Sequence, residues 1–143
     1  MAKRILILIF VSLGLLVSGC ASLRMSPSPA STPISDNAAV VSLADSARSD
    51  TQAGNFATAT ASLERALRIE PRNAGLWQEL ARVRMAEGHY QQAEAMAQRS
   101  NSWAGDNNAL RAENWRIIGQ SRTQRGDAAG ADTAFKRATE LLK

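Results

Sequence analysis

Gly54-Asn55-Phe56 with Ala59, Leu63, Ala66 and Pro71, and Gly88-His89-Tyr90 with Ala93, Ala97 and Ser100, are two copies of one pattern set 34 residues apart. A third copy, Gly126-Asp127-Ala128 with Ala131, Phe135 and Ala138, follows 38 residues after the second. From about residue 39 onward Ala, Leu, Arg, Glu and Gln dominate, and no strand-like alternation of any length appears. A period of this length, built from helix formers with a glycine at its middle, is a helical-hairpin repeat. One hairpin cannot bury its own apolar face, so hairpins stack, and stacking creates a groove. The sequence predicts an all-α chain whose surface is made for binding.

The N-terminus says where such a surface would be displayed. Met1-Ala2-Lys3-Arg4 is a short positive leader, and Ile5 to Val17 is almost entirely apolar. An apolar run of that length is too short for a membrane-spanning helix, which needs about 20 residues. A charged start followed by such a run is a secretory signal peptide. Val17-Ser18-Gly19-Cys20 follows, and it resembles a bacterial lipobox. The resemblance implies that residues 1–19 are a lipoprotein signal peptide and that Cys20 receives the lipid. Cys20 is also the only cysteine in the chain, and lipidation explains a lone cysteine in an exported protein. Two or more acyl chains (palmitate and its relatives) anchor stably, at about 0.8 kcal/mol per buried methylene. Residue 21 is Ala rather than Asp, which by resemblance to enteric lipoproteins favours the outer membrane.

Residues 20–38 form the predicted tether. After Cys20 the stretch is rich in Ser, Ala and Pro, with Pro27, Pro29 and Pro33 closely spaced, and it holds too little apolar surface to offset its ordering entropy. Fully extended it reaches at most about 65 Å; as a flexible coil it averages about 25 Å. The formal charge of the whole chain is +4, but loss of Lys3 and Arg4 with the leader leaves about +2. With no run of Lys or Arg and an exported destination, nucleic acid is not an expected partner.

Residues 39–143 resemble the tetratricopeptide repeat family, with repeats at about 40–73, 74–107 and 108–143. The pattern W-x2-L-G-x2-Y, then A-x3-F, then P falls on Trp77, Leu80, Ala81, Ala93 and Ala97 in the second repeat. In the third it falls on Trp115, Ile118, Gly119, Ala131 and Phe135, and in the first on Leu43, Ala47, Ala59, Leu63 and Pro71. The resemblance implies three helical hairpins stacked as a short right-handed solenoid. Ala47, Ala81 and Gly119, facing Ala59, Ala93 and Ala131, are small where the two helices of a hairpin meet, with axes about 8–10 Å apart. Gly54, Gly88 and Gly126 fit the left-handed position that ends the first helix. Asp50, Arg84 and Arg122 stand where the pattern has a large apolar residue, so contacts there fall to arginine stems or are lost. The four extra residues within Asp106–Arg111 predict one added turn on the next helix, N-capped by Asp106 or Asn107. Leu141 and Leu142 precede the last residue without a polar capping helix, so that end is expected to dock a partner or a second copy, a homodimer through the C-terminal helix.

No catalytic constellation is visible. His89, the only histidine, sits in a turn beside Gly88 and reads as an exposed turn residue. No serine has a base with an orienting partner, and no cluster has metal-ligand spacing. The chain is therefore not expected to be an enzyme, to bind a metal, or to use a cofactor beyond the covalent lipid on Cys20. Trp77 and Trp115 are expected to pack between repeats. Trp103, at the same repeat place as Ile69 and Leu141, is expected in the core.

The family resemblance implies a concave groove lined by the first helix of each hairpin. Its places fall on Arg48 and Gln52, then Gln78, Arg82 and Met85, then Arg116, Gln120, Thr123 and Gln124. Arg48, Arg82 and Arg116 would stand one repeat apart, suited to gripping carboxylates, while glutamine amides bond peptide backbone. Against this, arginine is simply the common surface cation here, at 14 Arg to 3 Lys. The plan of tether and few repeats resembles outer-membrane lipoprotein activators of bifunctional penicillin-binding proteins. It implies a lipid-anchored adaptor facing the periplasm, with a periplasmic or membrane protein as partner. A pilotin or assembly factor for pili or outer-membrane proteins, and an adaptor for a periplasmic protease, are the alternatives.

Overall fold

The computed structural model describes residues 34–143; the leader, Cys20 and the tether through residue 33 lie outside them. Six helices follow in order: α1 (Ala38–Gln52), α2 (Phe56–Ile69), α3 (Ala74–Ala86), α4 (Tyr90–Trp103), α5 (Asn108–Gln124) and α6 (Ala128–Glu140). No strand occurs among the described residues. They pair as three hairpins, α1–α2, α3–α4 and α5–α6.

The first helix of each hairpin starts on an asparagine. The side-chain oxygens of Asn37, Asn73 and Asn107 accept from the backbone N–H of Ala39, Leu76 and Leu110 at 3.0, 3.1 and 3.0 Å. Such a cap satisfies an otherwise orphaned donor and is worth about 1 kcal/mol. Of the two residues proposed from sequence for the third cap, Asn107 takes the position. The insertion lengthens its helix as expected: α5 has 17 residues and α3 has 13.

Each hairpin turns on a glycine in the left-handed region, with φ near +79° at Gly54 and Gly88 and +80° at Gly126. The next residue's N–H then reaches back, from Asn55 to Asp50 O, His89 to Arg84 O and Asp127 to Arg122 O, at 2.8, 2.8 and 2.9 Å. This closes the helix end in the Schellman manner. It uses only the main chain of Asp50, Arg84 and Arg122, which leaves their side chains free to depart from the repeat pattern.

Helices α1, α3 and α5 approach one another directly, while the backbones of α2, α4 and α6 stay apart. The first set forms the inner, concave layer and the second the outer one. Ala47, Ala59, Ala81, Ala93 and Ala131 are all buried where paired helices meet. One apolar cluster, around Val40, Leu63, Leu76, Leu80 and Val83, joins the first two hairpins. A smaller one, around Ile117, Ile118 and several alanines, joins the last two. Leu43 and Trp77 pack on the first cluster and Trp115 on the second, as the repeat pattern predicts.

Two expectations change. Trp103 is not core: it is 41% exposed, and Ile69, at the same repeat place, is 47% exposed. Each is the last residue of an outer helix, where the chain turns away and leaves the side chain only partly covered. The sequence reading also carried the tether to residue 38, whereas Ile34 and Ser35 lie against the first hairpins and Asn37 caps α1. Ile34 packs on the first cluster, Asn73 Nδ2 donates to Ile34 O at 2.8 Å, and the Ser35 hydroxyl donates to Glu70 at 2.5 Å.

Candidate functional site

The concave layer carries a ladder of alternating charge. Arg48 contacts Asp45 at 2.8 Å on its own helix and Glu79 on α3 at 3.1 Å. Glu79 also faces Arg82 at 3.7 Å; Arg82 reaches Glu113 on α5 at 3.6 Å, and Glu113 meets Arg116 at 3.0 Å. The structure thus brings Arg48, Arg82 and Arg116 together on one face, as the sequence predicted, but interleaves them with carboxylates. Each acid lies three residues before its arginine, one helical turn away on the same face. Four added residues in α5 are close to one full turn, so Arg116 keeps that face despite the insertion.

The arginine side chains are 42, 47 and 48% exposed. Ion pairs at this exposure contribute little to stability, about 0–1 kcal/mol each. Their physical effect is on shape: a guanidinium held by one carboxylate is pre-oriented, and most of its five N–H donors stay available. At one end the ladder borders a cleft of about 390 Å³, lined by Arg48, Glu79, Trp103 and Leu110 among others. Trp103 is steadied there by Arg72, whose guanidinium carbon lies 5.1 Å from the ring centroid.

The other residues assigned to the groove divide. Gln52, Gln120, Thr123 and Gln124 are exposed, although the Thr123 hydroxyl donates to Gly119 O at 3.0 Å. Met85 is half-buried and packs on the second cluster, its sulfur accepting from the Ser121 hydroxyl at 3.0 Å. Gln78 is turned inward, only 8% exposed. Its amide nitrogen donates to Asn114 Oδ1 at 2.9 Å and to Leu110 O at 3.3 Å, so those donors are taken up within the chain, while the residue still lines the cleft. Glu79, the next residue, faces the groove.

Gln78 belongs to a buried polar network that the sequence reading missed. Asn114, fully buried, donates to Ser100 Oγ at 2.7 Å and Asn101 Oδ1 at 3.0 Å, and Ser100 donates to Ala74 O at 2.8 Å. Every member is satisfied, which makes such a network a specific lock between α3, α4 and α5. A second missed cluster centres on Glu94 of α4, 9% exposed. Its two oxygens accept from Arg122 and Arg125, each at 2.7 Å. The hydrogen bond to Glu94 holds the Arg122 guanidinium more firmly protonated than usual, against a smaller opposing effect of burial. In the second turn burial tends to raise the Glu87 carboxyl, but hydrogen bonding and charge from Arg84, with a contribution from His89, outweigh it and leave Glu87 below the ordinary glutamate range.

Among the described residues no group of three or more His, Cys, Asp or Glu is placed to hold a metal, and no helix is long and apolar enough to cross a membrane. A short solenoid of helical hairpins with a polar concave face is a protein-interaction fold. The tetratricopeptide repeat family model matches residues 50–112. The globular C-terminal domain of P. aeruginosa LpoP is similar at 40% identity and a TM-score of 0.70, over 72% of this chain and 97% of that one. The N-terminal domain of stress-induced protein-1 (STI-1) from C. elegans shares the fold, with a TM-score of 0.68 at 17% identity over 78% of this chain and 88% of that one. No curated protein matches the chain. The chain belongs to the tetratricopeptide repeat family and is related to the LpoP C-terminal domain.

Proposed function

We propose that this chain is a lipid-anchored adaptor that binds a bifunctional penicillin-binding protein and activates its synthesis of peptidoglycan. The observation that carries this reading is the 40% identity to nearly the whole LpoP C-terminal domain. It is supported by the order of elements in the sequence: a leader, a lipobox-like Cys20, a Pro- and Ser-rich stretch and then three repeats. Cys20 carries the lipid, and the protein faces the periplasm from the outer membrane. The partner is gripped along the concave ladder, where Arg48, Arg82 and Arg116 present spare donors to carboxylates and backbone carbonyls. No bond is made or broken by the chain itself; its effect is to favour the active state of the synthase by binding that state better.

Two measurements on the protein purified from membranes test this. Intact-mass analysis should give a chain that begins at Cys20 and carries acyl groups. Co-purification should yield a bifunctional synthase. A free thiol with residues 1–19 retained removes the anchor, and capture of a secretin or a periplasmic protease in place of the synthase removes the partner.

A further inference from the structure

The outer layer holds a groove that the concave site does not use. Between α2 and α4 lies an open cavity of about 470 Å³ with an apolar floor of Leu67, Leu80, Trp77 and Met96. Leu67 and Leu80 are nearly buried, at 8 and 6% exposure, so the floor is recessed between two helical ridges. Trp77 is fixed by its indole N–H, which donates to Pro71 O at 2.9 Å, and by Arg99, whose guanidinium carbon lies 5.2 Å from the ring centroid.

The charge on its rim is unbalanced. Arg68 stands on the α2 ridge and Arg99 on the α4 side. Neither has a carboxylate within ion-pair distance among the described residues. Residues 1–33 contain no Asp or Glu that could supply one. Arg84, at one end of the groove, is already paired with Glu87 at 2.6 Å, and Glu64 is the one acid on the lining. The contrast with the concave face is direct: there each arginine meets acids of its own chain.

We propose that this outer groove docks an acidic, amphipathic segment of another protein, its apolar side chains on Trp77 and Met96 and its carboxylates on Arg68 and Arg99. An apolar floor recessed below two ridges suits side chains projecting from a peptide and is out of reach of a planar lipid surface. The proposal rests on the protein-binding reading above, but not on which protein is bound.

The test is an NMR titration of the full chain with two synthetic helical peptides. One carries leucines at i, i+3 and i+7 flanked by glutamates; its twin carries lysines in place of the glutamates. The acidic peptide should bind, with shifts at Arg68, Trp77, Met96 and Arg99, and the basic twin should bind roughly tenfold more weakly or worse. Arg68→Glu with Arg99→Glu should reverse that preference, and the unchanged spectrum elsewhere shows that the variant is folded. Equal binding of the twins, binding of neither, shifts confined to α1, α3 and α5, or phosphatidylglycerol vesicles producing the shifts at Arg68, Trp77, Met96 and Arg99 in place of the peptide would each overturn the proposal. A synthase that ignores the wild-type chain would sink the partner named above and leave this titration untouched.

Discussion

Gly119 of α5 lies directly beneath the ring of Phe135 on α6: a Cβ added at Gly119 would stand 2.6 Å from Phe135 Cε1. The third hairpin closes on this pair, and the ring stays 38% exposed on its far side. A mid-helix glycine costs about 1 kcal/mol relative to alanine. That gain is blocked while the ring occupies the space. Gly119→Ala should therefore leave stability level or lower it in the wild-type chain. In a Phe135→Ala background the same change should stabilise by about 1 kcal/mol. Urea unfolding of the four proteins gives the coupling, and equal effects in both backgrounds would show that the two residues do not meet.

Asn114 ties Gln78 and Ser100 into one buried network. Asn114→Leu deletes the shared partner and leaves buried groups unpaired, each at a cost of about 1–3 kcal/mol. A fall of roughly 2–4 kcal/mol in unfolding free energy is expected. A loss below about 0.5 kcal/mol would mean that the network contributes no lock between the hairpins.

Glu94 holds two arginines at 12% side-chain exposure, whereas Asp45 pairs with Arg48 at 61%. Removing one partner of a buried pair strands the charges left behind, while exposed pairs matter little. Glu94→Gln should cost roughly 1–3 kcal/mol, reduced from the fully buried case because Arg125 reaches solvent. Asp45→Asn should change stability by less than about 0.5 kcal/mol. Thermal unfolding of the two variants side by side checks the order; equal losses would contradict it.

Glu87 gives a dependence on pH. Its carboxyl is held below the ordinary value in the folded chain, so the folded state prefers the ionised form. The resulting stability is fully present above the ordinary glutamate value of about 4.3 and is lost as the pH falls through the lower folded-state value. The difference in melting temperature between the wild type and Glu87→Gln, followed from about pH 5 downward, should shrink as the solution becomes more acidic. A difference that grows on acidification would reverse the assigned sign.

The hairpins were legible because a repeat leaves its mark on sequence at a fixed period. The glycine turns, the small residues between paired helices and the longer α5 all follow from it. Trp103 was misplaced by the same logic: position in the repeat tells which way a residue points, not how much of it is covered at the end of a helix. Gln78 was assigned to the groove by position, but its amide is drawn inward by Asn114, and that pairing depends on a residue in the next repeat. The carboxylates of the ladder were open to discovery. Asp45, Glu79 and Glu113 recur with the 34-residue spacing of Arg48, Arg82 and Arg116, each three residues earlier.

The most direct test is the glycan polymerisation rate of the cognate bifunctional synthase, measured with and without the purified chain. The rate should rise with the wild type and should rise far less with Arg48, Arg82 and Arg116 all changed to alanine, while that variant keeps its helical content. A rate that the wild-type chain leaves unchanged would contradict the activator reading; full stimulation by the triple variant would remove the concave ladder from it.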